Sequence, residues 1–164
     1  MKDIKDLKVF RENYHKDNRG ITYTLWKSEW SQGVLSKIIE GKKGALRGFH
    51  GDQHTWKLFA CIKGSFLLVV IDLRPDSPTY LQKQQFKLTE KNKKYVLVPP
   101  GCINAHQGLS PYMLYYTWSE PYNIDVQVTV KWNDPRIGIK WPLKPILSER
   151  DKNGISLEEF QWPV

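Results

Sequence analysis

The sequence predicts a single all-β domain over residues 1–164, a sandwich or barrel of short strands. Three observations carry this. Runs of β-branched and aromatic residues recur at short intervals, turn residues punctuate them, and helical periodicity is nearly absent. "ITYTLWKSEW" (21–30) is rich in Thr, Ile and aromatics. "SFLLVVIDL" (65–73) is an unbroken apolar run of strand length, the pattern of a strand buried on both faces. "YLQKQQFKL" (80–88) is more amphipathic, and "YVLVP" (95–99), "YMLYYTW" (112–118) and "VQVTVKW" (126–132) complete the strand set. Between them stand "KG" (63–64), "RPDSP" (74–78), "EKNKK" (90–94), "PPG" (99–101) and "SP" (110–111). Helical turns are expected only near residues 3–8 and 156–160, and a C-terminal tail begins near Asn133.

Composition narrows the class. The chain has 164 residues, 40% hydrophobic and 26% charged, the balance of an ordinary globular protein with a sizeable core. Aromatics reach 13%, with seven Trp, which suits strands and pockets. No apolar run approaches the roughly 20 residues of a membrane span. "MKDIKDLKVF" is too charged for a secretory leader, and two cysteines make no disulfide framework, so a cytoplasmic location is expected. The net charge of +8 suits an anionic partner such as a phosphorylated small molecule. No helix carries a basic stripe, which argues against nucleic acid.

The stretch "RGFHGDQHTWKL" (47–58) holds the densest chemistry. A metal-binding barrel would offer His-x-His and a further His after a Pro-x-Gly turn. Here His50 is followed by Gly51 and Asp52, and the position three residues after "PPG" is Asn104, with His106 two further on. An acid/base site needs less: a histidine whose second ring nitrogen is held by a carboxylate. Asp52, Asp72, Asp134 and Asp151 are all candidates for that carboxylate. Lys57 offers a cation for a developing enolate oxygen, and Arg47 a fork for a phosphate. Tyr115 and Tyr116 point to opposite faces of one strand, so one of them faces inward. Taken singly, each of these residues also reads as ordinary packing or surface charge.

Their order along the chain resembles the RmlC-type sugar-nucleotide 3,5-epimerases. "GALRGFHGD" (44–52) is similar to that family's Gly-Val-Leu-Arg-Gly-Leu-His segment. "WKLFACIKGSFLLVVIDLRPDSPTY" (56–80), "VLVPPGCINAH" (96–106) and "WNDPRIGIKWPLKPILSERD" (132–151) resemble its strand pair, its Pro-x-Gly turn and its tail. "DNRGI" (17–21) adds a fifth match. The resemblance implies a cupin jelly roll with a short N-terminal arm and a C-terminal tail. It implies a homodimer acting without metal or cofactor on a nucleoside-diphosphate 4-keto sugar, in the synthesis of surface polysaccharide precursors. It matches His50 to the base, Asp151 to its carboxylate partner, Lys57 to the lysine near the ketone oxygen and Tyr115 to the acid on the opposite face. It also matches Arg47 to the diphosphate and Arg19 to an arm that reaches the neighbouring subunit. Asn104, His106 and Tyr122 join as substrate-contacting residues.

The departures are local. Asn104 stands where the family has a second barrel histidine, "GDQHTW" shortens the path from His50 to Lys57, and Tyr122 falls one residue out of register with a second tyrosine. "LSKIIEGKK" (35–43) replaces the nucleotide-contacting segment. The compact "HGDxxTWKL" form resembles members of heptose and capsule pathways that use GDP-linked 4-keto sugars. Neighbouring readings are a 3,4-ketoisomerase on the same scaffold, a metal-dependent oxygenase and a non-catalytic sugar-binding module.

Overall fold

The structure is a computed structural model that describes residues 3–11 and 14–163. In chain order run β1 (Lys8–Arg11), β2 (Tyr14–Asp17), β3 (Gly20–Tyr23), β4 (Leu35–Gly41), β5 (Leu46–Gly51) and β6 (Lys57–Lys63). They are followed by β7 (Ser65–Asp72), β8 (Lys83–Thr89), β9 (Lys94–Val98), β10 (Cys102–Gly108), β11 (Tyr112–Trp118), β12 (Val128–Thr129) and the short helix α1 (Glu149–Lys152). One five-stranded sheet has the order β1-β9-β6-β11-β4, and a second has the order β12-β5-β10-β7-β8. Every named strand pair is antiparallel. This is the all-β architecture that the sequence implies.

The sheets face each other across a core. Phe59 of β6, Val96 and Val98 of β9 and Leu114 of β11 meet Phe66, Leu68 and Val70 of β7 and Leu88 of β8. Burying each such side chain is worth roughly 1.5–3 kcal/mol. The outer faces are covered as well. Leu67, Val69 and Ile71 of β7 pack under the C-terminal segment through Val130, Ile137 and Leu157. Leu58 and Ala60 of β6, with Tyr95 and Leu97 of β9, pack under Phe10, Trp26, Trp30 and Trp56. Central strands therefore bury both faces, which is why "SFLLVVID" shows no alternation.

Several elements differ from expectation. Of the 21–30 stretch only the first three residues lie in a strand, β3; it pairs with β2 in a hairpin whose Tyr14 and Ile21 are exposed. Residues 24–30 run irregularly and lay Trp26 and Trp30 on the first sheet, so their aromatic content serves cover rather than pairing. Residues 157–159 form bends, and the helix lies earlier, at Glu149–Lys152, capped by Ser148. β4, β5, β6 and β10 occupy stretches that the sequence marks by motif rather than by strand pattern. Cys61 and Cys102 are free and buried.

Candidate active site

The site forms where β5 and β10 approach each other. His50 on β5 is the Cα partner of Asn104 on β10 and of Thr129 on β12. The close approach needs Gly48: its φ is +120°, and a Cβ there would lie 2.5 Å from the Asn104 carbonyl oxygen. Two residues later, the His50 side chain meets the C-terminal helix. His50 Nε2 lies 2.6 Å from Asp151 Oδ1.

Asp151 is only 3% exposed and fully engaged. Ser148 Oγ donates to its Oδ2 at 2.8 Å, and the Gly48 N–H points at its Oδ1 from 3.4 Å. Burial opposes its charge, but the hydrogen bonds from His50, Ser148 and Gly48 outweigh burial and hold the carboxyl below its usual range. Of the four carboxylates open to the sequence, only Asp151 contacts the histidine. Asp52 and Asp72 hold local loops together, and Asp134 accepts from Arg136 N and Leu157 N.

Opposite this dyad stands the inner face of β11. Tyr112 and Leu114 lie in the core, and Tyr116 and Trp118 follow at period two into a cavity of about 290 Å³. The cavity is lined also by Arg47, His50, Phe59, Asn104, His106 and Tyr122, and by Lys37, Gln127 and Arg150. Tyr115, matched to the acid by resemblance, faces the other way. It packs with the outer cluster of Leu58, Trp26 and Trp56, and its hydroxyl lies 3.1 Å from Ser36 Oγ. Of these two tyrosines, Tyr116 is thus the one that shares the cavity with His50.

Three other expected residues are placed differently. Lys57 does not line the cavity. Its ammonium is buried and paired with Asp52 at 2.8 Å, and the Trp118 ring packs against it with the centroid 5.1 Å away. Arg19 sits on the β2–β3 hairpin, 84% exposed and bound to Asp17 at 2.6 Å, outside the cavity of its own chain. His106 does line the cavity, but its Nε2 lies 3.0 Å from the Tyr112 hydroxyl. Burial, with the charge of Arg47 next, pushes its pKa down to about 3, so it is neutral at physiological pH. His54 opens onto a separate pocket with Trp30 and Trp56, so the three histidines do not converge. Among the described residues no three His, Cys, Asp or Glu side chains cluster as a metal site.

Trp118, Lys37, Gln127 and Arg150 were not legible in advance. Arg150 sits beside Asp151 in "LSERD", which is a usable signal. Lys37 and Gln127 come from stretches with no motif.

The chain resembles known proteins over nearly its whole length. Residues 1–159 match the family model described as dTDP-4-dehydrorhamnose 3,5-epimerase. The enzyme of that name from Pseudomonas aeruginosa is 34% identical over 164 residues, covering 92% of this chain and 91% of its own. The crystal structure of a dTDP-4-dehydrorhamnose 3,5-epimerase from Bacillus anthracis, with TDP and pyrophosphate bound, superposes with a TM-score of 0.89 at 28% identity, covering 96% and 97% of the two chains. A 3'-monoepimerase from Streptomyces bikiniensis, solved with dTDP-quinovose, gives a TM-score of 0.89 at 27% identity, covering 94% and 85%. A match over residues 1–159 and a fold shared with solved epimerases coincide here, and the chain belongs to the dTDP-4-dehydrorhamnose 3,5-epimerase family.

Proposed function

We propose that His50 and Tyr116 invert a carbon next to the ketone of a nucleotide-linked 4-keto sugar, with Asp151 as the partner of the base. The ketone acidifies the protons at C3 and C5. His50 removes one from the face it touches, using the ring nitrogen not held by Asp151. The electron pair moves into an enolate at the C4 oxygen. Tyr116 then breaks its O–H bond to deliver a proton to the other face of the same carbon. Asp151 orients the imidazole and stabilises its cationic form. Arg47, at the cavity margin, is the ligand for the diphosphate, and Lys37 and Arg150 add positive charge. The whole chain acts as one catalytic domain in the cytoplasm, as a homodimer whose β2–β3 arm carries Arg19 toward the partner subunit.

The observation that carries this reading is the opposition of two groups across one cavity: the 2.6 Å His50–Asp151 contact on one wall and Tyr116 on the other. The test is incubation with dTDP- and GDP-linked 4-keto sugars in D2O, with NMR locating the deuterium at C3 or C5. His50→Asn abolishes both exchange and inversion. Tyr116→Phe loses inversion by roughly 10²–10⁴-fold, the usual worth of a general acid, while slow exchange with retention persists. Tyr115→Phe keeps inversion. Inversion lost in Tyr115→Phe and kept in Tyr116→Phe overturns the assignment.

A further inference from the structure

We propose that Trp118 is a positioning residue for the acid: its indole Nε1–H, unpartnered in the resting structure, takes the Tyr116 oxygen as its partner when the phenol gives up its proton, orienting it and stabilising the charge left behind. This rests on the role of Tyr116 given above. Nothing in the sequence marks Trp118; the cavity does.

The first observation is an unsatisfied donor. Among the described residues, three buried side-chain polar atoms lack a hydrogen-bond partner, and two of them, Asn104 Oδ1 and Trp118 Nε1, belong to residues lining this cavity. An idle buried N–H is costly, so one kept in a reaction cavity calls for a use. The second is its neighbour. The Trp118 ring stands edge-on to Tyr116, with centroids 5.2 Å apart and planes at 81°. The third is the charge around the indole. Lys57 Nζ lies 5.1 Å from its centroid and Lys37 Nζ 5.3 Å, and Lys57 is fixed by its buried pair with Asp52. Cations against the ring withdraw electron density and make the N–H a stronger donor.

The chemistry needs such a donor. Burial pushes the Tyr116 phenol far above its ordinary pKa, and Asp52 adds to this, so the phenolate left by proton transfer needs a donor. In the step itself the Tyr116 O–H bond breaks and a C–H bond forms at the enolate carbon. The resulting phenolate accepts from Trp118 until it regains a proton, by way of solvent, from the imidazolium that His50 became. No net proton is gained or lost.

Trp118→Phe keeps an aromatic ring between the two lysines and removes only the N–H. With a 4-keto sugar nucleotide that the wild type inverts, the variant shows kcat for inversion reduced by roughly 10–100-fold, the worth of one hydrogen bond to a charged group. KM and the rate of deuterium exchange stay near wild type, and the alkaline limb of the inversion profile moves to higher pH. In a Tyr116→Phe background the change has no further effect, because the two residues act as one unit. Trp118→His, which restores a ring N–H, recovers part of the inversion and serves as the comparison should the Phe variant not fold. Unchanged inversion in Trp118→Phe overturns the proposal. So does a rise in KM with exchange and inversion falling together, which makes Trp118 a substrate contact, or an additive loss in the double variant. A wild type that neither exchanges nor inverts any 4-keto sugar nucleotide overturns the acid/base roles instead.

Discussion

Replacing Asp52 by Asn strands a buried cation, and the cost follows from the surroundings of Lys57. Both residues are 1% exposed, and their charged atoms lie 2.8 Å apart. Removing one member of such a pair typically costs about 3–5 kcal/mol, because the survivor stays desolvated without its counter-charge. The two single variants are not equivalent. Lys57→Met leaves the Asp52 carboxylate with the His54 N–H at 2.9 Å, the Thr55 N–H at 2.6 Å and Gln127 Nε2 at 2.6 Å, so its cost falls at the low end of that range. Asp52→Asn leaves the ammonium at most a neutral amide oxygen and, among the described residues, the face of Trp118, an interaction of roughly 0.5–2 kcal/mol, so its cost falls at the high end. Burial already draws the Lys57 pKa below its ordinary value against the pull of Asp52. Without Asp52 it falls further, and the unfolded chain then binds more protons than the folded one. Stability of Asp52→Asn therefore rises with pH from neutrality toward the lysine's unfolded value near 10, by at most about 1.4 kcal/mol per pH unit. Urea unfolding at a series of pH values reads both quantities. A loss below about 1 kcal/mol, or a pH-independent loss, refutes the reasoning.

Three further outcomes are expected. Arg47→Ala raises the dissociation constant for a nucleoside-diphosphate ligand by roughly 10–150-fold, the worth of one charge-assisted contact, as read by calorimetry; unchanged affinity removes Arg47 from the site. Asp72, fully buried and held by Arg74, Ser77 and Thr79, keeps its pKa at about 2 although burial opposes its charge. A depressed folded pKa contributes stability above the unfolded value near 4 that is lost as pH falls toward 2, so Asp72→Asn flattens the acid limb of stability by up to about 2–3 kcal/mol in thermal melts across that window. Protein treated with EDTA inverts its substrate at the untreated rate, and activity that disappears with chelation and returns with Fe, Mn or Zn contradicts a purely acid/base mechanism.

Much of this protein was readable from the chain itself, because some requirements act on single residues or short spans. The unbroken apolar run at 65–73 demands burial on both faces, and the structure buries it so. Local spacing left four aspartates open to His50; the family resemblance pointed to Asp151 across a hundred residues, and the two side chains lie 2.6 Å apart. What the sequence left open was which way strands face. "YMLYYTW" is apolar on both sides because the core covers one face and Trp26, Trp30 and Trp56 cover the other. Alternation therefore carries no sign there, and only the packed sheets decide that Tyr116 rather than Tyr115 lines the cavity. The same reason hid Trp118 and the burial of Lys57. A side chain's neighbours across the sheet come from distant segments, and their meeting is decided by register and close packing rather than by local pattern.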